Sequence, residues 1–430
     1  MIYRMKRNGA GLASICILST MVLVMLSSTA CMYIGGDDSI KAANPKEIET
    51  LVYMRDTDRP TFHTVVEGVQ DQSKEACRAA GVTEKNLASC RMCSFYAMKG
   101  DESLIPVYGD AYDKDLVLTY ILPLEDYNFS NGVQKHLKPG EAMIYDGQNT
   151  MKGGQFAIGD QFQYQITEKL EDMIIKENRI FGVNELYIVV PTMEEVYEIY
   201  DYLNSLNVPG QDQMLINLSY WYGFDTGANE QIDESLSEQI NRLLQGDITD
   251  PNAYAGLDAI FKEANVNPKY ETLSMQTSAT SRAKKEFYEL YGGFFFLGII
   301  LSLTFLLATV LIMYYKQITE GYDDKDRFDI LQKVGMTERE VKKSINSQVL
   351  TVFFAPLIMA GLHIAFAFHM ISLMLSVFSI SNTVLLIQVT VAAFLLFTAF
   401  YVVVYLGTSK IYYRLVSGGG GYKRKGPLAH

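Results

Sequence analysis

Three stretches of this 430-residue chain carry no Asp, Glu, Lys or Arg: Asn8 to Gly36, Leu290 to Tyr315 and Ser344 to Ser409. A bilayer core about 30 Å thick is crossed by about 20 apolar residues of helix at 1.5 Å each. The first two stretches therefore make one span each, Leu12 to Ile34 and Leu290 to Tyr315. The third is too long for one and divides at its only cluster of turn formers, Ser379-Ile380-Ser381-Asn382-Thr383, into Gln348 to Phe378 and Val384 to Leu406. All 37 basic and 49 acidic residues fall elsewhere, at a density of about 28%, close to the ~25% of soluble domains. The expected fold class is thus a membrane α-helical protein with four transmembrane helices and a large soluble domain between helices 1 and 2. A net charge of −12 argues against a nucleic-acid partner.

Orientation follows from the basic residues beside the spans, which resist translocation. Arg4, Lys6 and Arg7 precede the first span, seven Lys and Arg from Lys316 to Lys343 separate the second from the third, and Lys410, Arg414, Lys423, Arg424 and Lys425 follow the fourth. The connection between spans three and four has none. Residues 1–36 then hold a cytoplasmic N-terminus and helix 1, and 37–286 an extracytoplasmic domain. Residues 287–315 hold a stalk end and helix 2, 316–347 a cytoplasmic loop, 348–378 and 384–406 helices 3 and 4, and 407–430 a cytoplasmic basic tail. The expected location is the cell membrane, multi-pass, with both termini cytoplasmic. The flanks and tail contribute +8, so the outer domain carries about −20; that field attracts cations, although a well-solvated surface is the simpler reading. Ser28-Thr29-Ala30-Cys31 has the look of a lipoprotein cleavage site, but the apolar run before it exceeds the usual 7–15 residues. A retained helix is expected, with Gly9/Ala13 and Ala10/Ser14 offering a small-residue face for packing.

The outer domain reads as α+β. Asp115 to Leu122, Leu186 to Val190 and Leu215 to Tyr222 are rich in β-formers. Thr192 and Glu195 form a capping box ahead of the apolar stripe Met193, Val196, Tyr200, Leu203. Glu194, Glu198 and Asp201 line another face of that helix, a solvated row or a site that attracts cationic peptides. A second helix spans Glu230 to Leu244, and Thr277 to Tyr288 reads as a helical stalk into span two. Cys77, Cys90 and Cys93 allow one disulfide from Cys77 to either of the others; a four-ligand zinc site lacks a second pair.

Chemistry motifs are missing. No Gly-x-x-x-x-Gly-Lys-[Ser/Thr] loop occurs, so the chain is not its own ATPase, and no Gly-x-Ser-x-Gly elbow or His-Glu-x-x-His helix occurs either. No catalytic residue, cofactor site or metal site is assigned, and the chain is not expected to be an enzyme. His363 and His369, six residues apart, fall on different helix faces; each is a functional candidate by depth or a hydrogen bond to a neighbouring helix. Pro356 is expected to bend the same helix. Arg327 to Val334 reads as a short amphipathic helix stopped by Gly335, with Thr337 and Glu340 capping the next. Its Phe328, Ile330, Leu331 and Val334 have nothing of their own to bury against and suit docking on another protein, or else a helix lying on the inner leaflet, against which the loop's zero net charge argues.

Leu290-Tyr291-Gly292-Gly293, Tyr314-Tyr315-Lys316-Gln317-Ile318-Thr319-Glu320-Gly321-Tyr322, Asp326 through Met336 and Ser347-Gln348-Val349-Leu350 resemble the C-terminal part of FtsX-like ABC transporter permeases. The bacitracin- and lantibiotic-resistance branch is the nearest in appearance, and Arg4-Met5-Lys6-Arg7-Asn8 with Ile17-Leu18-Ser19-Thr20 resembles the span ahead of its outer domain. The resemblance implies a permease subunit, with ATP bound by an ABC ATPase partner that seats on Phe328, Ile330, Leu331, Val334 and Gly335. It also implies a second permease half or copy, a sensor histidine kinase as a further partner, and resistance to cell-wall-directed peptides. Members of that branch have ten spans, so a four-span chain is either a relative that pairs or part of a longer permease. The alternative from another class is a membrane sensor or adaptor binding a ligand outside and a partner inside.

Overall fold

The computed structural model describes residues 9–107, 115–146, 151, 153–175, 184–207, 214–245, 255–266, 272–333, 337–377, 380 and 382–417. The chain divides into two compact units, one of residues 1–36 with 287–430, the other of residues 37–286.

The second unit is built on a ten-stranded sheet, β1 (Ile48–Met54), β2 (Lys85–Lys99), β3 (Ser103–Pro106), β4 (Leu116–Pro123), β5 (Glu141–Asp146), β6 (Gln155–Ile158), β7 (Phe162–Lys169), β8 (Asn184–Val190), β9 (Asn217–Asp225) and β10 (Leu273–Ala279). Their order is β10-β1-β9-β2-β3-β6-β7-β5-β8-β4, and a further β2–β4 pairing closes the seven strands from β2 to β8 into a ring. Closure removes the open edge from those strands except along the first half of β2, which β4 does not reach. β1 lies between β9 and β10, antiparallel to both, with Ile48 opposite Phe224 and Ala279.

Alternation along the strands makes two cores. On one face Val52, Phe95, Ile121, Ile188 and Tyr222 meet helices α3 (Arg59–Ala80), α5 (Met193–Ser205), α6 (Glu230–Gln245) and α7 (Ala255–Ala264). The chain elements α1 (Gly9–Ile34), α2 (Gly36–Ala43) and α4 (Leu124–Asn131) complete the numbering up to this point. On the opposite face Cys90, Met92, Tyr120, Tyr187 and Trp221 are covered by Tyr127 of α4 and by Leu170, Met173 and Ile175. α4 also closes the side of β2 that β4 does not reach. The Ser130 hydroxyl bonds both the N–H and the carbonyl of Ser89, and Asp126 accepts from the Arg91 N–H at 2.7 Å and from its guanidinium. That carboxylate drives the Arg91 pKa above its ordinary value.

Local signals explain the helix ends. Asp58 caps α3 by accepting from Thr61 N at 2.8 Å, and Gly81 ends it at φ 69°, a conformation open to glycine. At α5 the Thr192 hydroxyl accepts from Glu195 N, but the Glu195 carboxylate turns away from the cap to the Tyr164 hydroxyl at 3.2 Å.

Three expectations are corrected here. Thr277 to Ala279 is strand, since β10 buries Leu273, Met275, Thr277 and Ala279 on alternate positions, and the helix starts only at Thr280. No disulfide joins Cys77 to Cys90 or Cys93: all three are unbridged thiols and buried, and Cys90 points into the opposite core from Cys77 and Cys93. Burial pushes the Cys77 thiol up to about 12. These thiols are expected to stay unreactive to a thiol reagent in the native protein and to react together on denaturation, and a fast-reacting native thiol among them would contradict the packing. Third, the acidic row on α5 is not free. Arg59, at the start of α3, reaches Glu194 at 2.6 Å and Asp201 at 2.8 Å and lies 4.9 Å from the centre of the Tyr197 ring, leaving only Glu198 of the three.

Candidate functional site: the apolar helices and their junction

Three more helices belong with α1: α8 (Thr280–Lys333), α9 (Glu338–Val377) and α10 (Thr383–Ser417). Each of the four holds a segment long and apolar enough to cross a membrane: Gly9–Ile34, Thr280–Thr319, Phe354–Ser376 and Thr383–Lys410. α1 is the centre of the unit and packs on α9 and α10. Its Ile15, Val22 and Leu23 are buried with Met313 of α8, Leu357, Ala360 and Ile364 of α9, and Phe397, Tyr401 and Tyr405 of α10. Phe354 meets Tyr401 and Tyr405 edge-on at 6.0 and 5.5 Å. A second cluster, Cys31, Met32, Leu375, Ile380 and Leu386, lies toward the other end of α1.

The packing face of α1 differs from the small-residue face expected. Gly9, Ala10 and Ala13 are exposed, and the buried small residues are Ser19 and Ser27. The close approach comes instead from α8, where Gly298 lies against Thr29: a Cβ added there would run into the threonine hydroxyl. Tyr33 stacks on Phe295 at 5.1 Å and meets Tyr288 edge-on at 5.3 Å, adding an aromatic rung to the same seam.

Polar groups inside these segments are few. His363 of α9 places Nδ1 3.3 Å from the Thr20 hydroxyl and 3.8 Å from the Cys16 Sγ, joining α9 to α1; His369 is exposed on another part of α9. Gln317 of α8 is 2% exposed, and neither atom of its amide has a hydrogen-bond partner among the described residues. Pro356 sits inside α9.

The junction between α8 and α9 revises the expected loop. Residues 316–333 continue α8 without a break, because the stretch holds no proline and the single Gly321 is tolerated inside the helix, so Arg327 to Lys333 is the last part of a long helix rather than a short separate one. α9 starts at Glu338, directly after Thr337, where the Thr337–Glu340 signal places it, and its apolar segment follows from Phe354. Ile330 is 60% exposed. Phe328 and Leu331 lie on α8 with side chains outside the described set, and Val334 and Gly335 lie outside the described residues.

Residues 299–418, which hold this junction, the second half of the apolar segment Thr280–Thr319 and the whole of the two that follow it, match the FtsX-like permease C-terminal family. The C-terminal part of the chain is an FtsX-like permease domain. Curated relatives reach further toward the N-terminus. The chain is 26% identical over 252 residues to the bacitracin export permease protein BceB of Bacillus subtilis, covering 56% of this chain and 36% of that protein. It is 24% identical over 370 residues to the protein of the same name from Halalkalibacterium halodurans, covering 85% of this chain and 49% of that one. The ABC transporter permease protein YxdM of Bacillus subtilis is 32% identical over 72 residues, 17% of this chain and 12% of that protein. The chain thus spans less than half the length of these relatives. The C-terminal part is thus FtsX-like, the chain is related to ABC transporter permeases, and its four apolar segments fit a multi-pass membrane protein.

Proposed function

We propose that this chain works as a permease component of an ABC transporter, coupling ATP binding in a partner subunit to motion of the 37–286 unit. The α8–α9 junction within the FtsX-like match carries this reading, with Ile330 presented to solvent at its helix end. Phe328, Leu331, Val334 and Gly335 complete the seat for the ATPase, and α8 joins that seat to β10 of the outer unit through one helix. The α+β unit lies outside the cell, the junction and both termini inside, and a second permease half or copy completes the transporter. The names of two relatives, bacitracin export permease, favour export of a peptide of that kind; resistance to cell-wall-directed peptides and a sensor histidine kinase as a further partner belong to the proposal alone. The acidic helix face enters this role only through Glu198, since Arg59 already holds Glu194 and Asp201. An open polar groove of about 320 Å³ lined by Glu102, Gln155, Gln163, Tyr164 and Gln165 is another contact surface on the same unit.

Purification in mild detergent from the native host is expected to bring an ABC ATPase with the chain, and a preparation that never contains one would remove the reading. Topology is checked separately. A cysteine at exposed Asp101 is expected to react with an impermeant maleimide in intact cells, while one at exposed Tyr322 is not; reaction at Tyr322 alone would reverse the orientation.

A further inference from the structure

The 37–286 unit is rooted at one place. The chain enters β1 through Lys46 and Glu47, and leaves β10 into α8 at Thr280, whose N–H donates to the Glu47 carbonyl at 2.9 Å and whose hydroxyl donates to the Lys46 carbonyl at 2.5 Å. The Glu47 side chain ties a third segment to the same point. Its Oε2 accepts from Thr226 N at 2.7 Å, from Gly227 N at 2.8 Å and lies 3.1 Å from the Thr226 hydroxyl, in the turn between β9 and α6.

That hydroxyl decides the protonation of the cluster. It accepts from Ala228 N at 3.0 Å and stands 2.6 Å from Oδ1 of Asp233, a residue of α6 that is only 6% exposed. A threonine hydroxyl has one proton to give and two lone pairs to offer. If Asp233 is ionised, that proton serves one carboxylate and the other faces a lone pair. If Asp233 carries a proton, all contacts are satisfied at once: Ala228 N–H and Asp233 O–H donate to the hydroxyl, and the hydroxyl donates to Glu47.

We propose that Asp233, Thr226 and Glu47 form a proton-operated latch that fastens the root of α8 to the outer unit, closed when Asp233 is protonated and released when it ionises. The surroundings support it. Burial and the negative charges of Glu47, Asp225 and Glu230 favour the protonated acid, against the opposing bond from Thr226. Around the cluster Lys46 stands 3.9 Å from Asp225, the Lys85 Nζ lies beside Gly227, and Arg282 of α8 stands 3.9 Å from Glu238 of α6; Glu49 of β1, whose carboxyl burial pushes up to about 7, accepts from the Lys46 N–H at 2.9 Å, so Glu49→Gln is the background in which the Asp233 profile is read. α3 and α7, which also pack on α6, contribute apolar side chains such as Val69, Leu257 and Phe261 to the shared core. A carboxyl whose folded-state pKa is raised contributes its stability on the acid side, and that contribution is lost as pH rises through the folded value. The latch is therefore an acid-strengthened one. It goes beyond the transport reading and stands or falls without any ATPase.

Hydrogen exchange on the purified full chain from about pH 3.5, near the ordinary aspartate value, up to about pH 8, with protection corrected for the intrinsic rate at each pH, tests it. The amides of Thr226, Gly227, Ala228 and Thr280 are expected to lose protection as pH rises, by roughly tenfold, the scale of a hydrogen bond to a charged group. In Asp233→Asn the amide donates to Thr226 at every pH, so protection is expected to stay high and flat. In Thr226→Val, a substitution of the same shape, it is expected to be low and flat. Emission of Trp221, the only tryptophan, reports that each variant is folded. Wild-type protection that is flat or rises with pH would overturn the latch, as would Asp233→Asn protection below wild type at pH 5.

Discussion

Replacing Ile330 with Asp is expected to abolish retention of the ATPase partner while leaving the chain in the membrane at normal levels. Ile330 is exposed at the end of α8, beyond the apolar segment Thr280–Thr319, so its loss takes nothing from the membrane core. Docked, such a side chain is worth about 1.5–3 kcal/mol, and an aspartate forced into the same groove adds about 1–3 kcal/mol for an unsatisfied polar group. Together these weaken the contact by two orders of magnitude or more, on the scale of about 1.4 kcal/mol per factor of ten. Co-purification and transport-dependent resistance are the readouts. A variant that keeps both would refute the seat; one that disappears from the membrane would make Ile330 a structural residue.

The second large effect is expected at Gly298. A Cβ there would run into the Thr29 hydroxyl and stand 2.9 Å from its Cγ2 and 3.0 Å from its Cβ, so the Thr29 side chain must turn away or α1 and α8 must move apart. Overpacking of this kind typically costs about 1–3 kcal/mol, and Gly298→Val is expected to lower the thermal midpoint of the detergent-solubilised chain and its yield. Thr29→Gly should restore most of the loss, since it removes the atoms in the way. Full stability of Gly298→Val alone, or no rescue by the second change, would show that the seam does not depend on this contact.

The reach of the sequence can be traced residue by residue. Spans were legible because their signal is the absence of charge over a fixed length, which depends on no partner. β4, β8 and β9 were legible from dense β-formers, and α5 from Thr192 and its apolar stripe. β10 was not: Leu273-Ser274-Met275-Gln276-Thr277-Ser278-Ala279 has weak propensity either way, and only pairing with β1 makes it strand. β2 was hidden for a related reason, its fifteen residues containing Cys, Ser and Arg that suit a strand only once both cores and α4 are in place. The acidic row on α5 looked free because its counter-ion, Arg59, lies 135 residues from Glu194 in the chain. Nor could spacing reveal Gly298 or the Asp233 cluster, which need two or three segments brought together.

The placement of β1 sets an order of assembly. Strands β2 to β8 run consecutively from residue 85 to 190, so their ring can close from chain that is already contiguous. β1 comes before all of them, yet both of its neighbours, β9 and β10, come after. Such distant pairings form slowly, because the long intervening loop must be closed before any contact is gained. The first strand of the unit thus waits for β9 before it can be seated, and its other side stays an open edge until residue 279 has been synthesised. Until β9 arrives the apolar positions Ile48, Val52 and Met54 have no strand beside them, which makes this segment exposed to misassembly or to a chaperone.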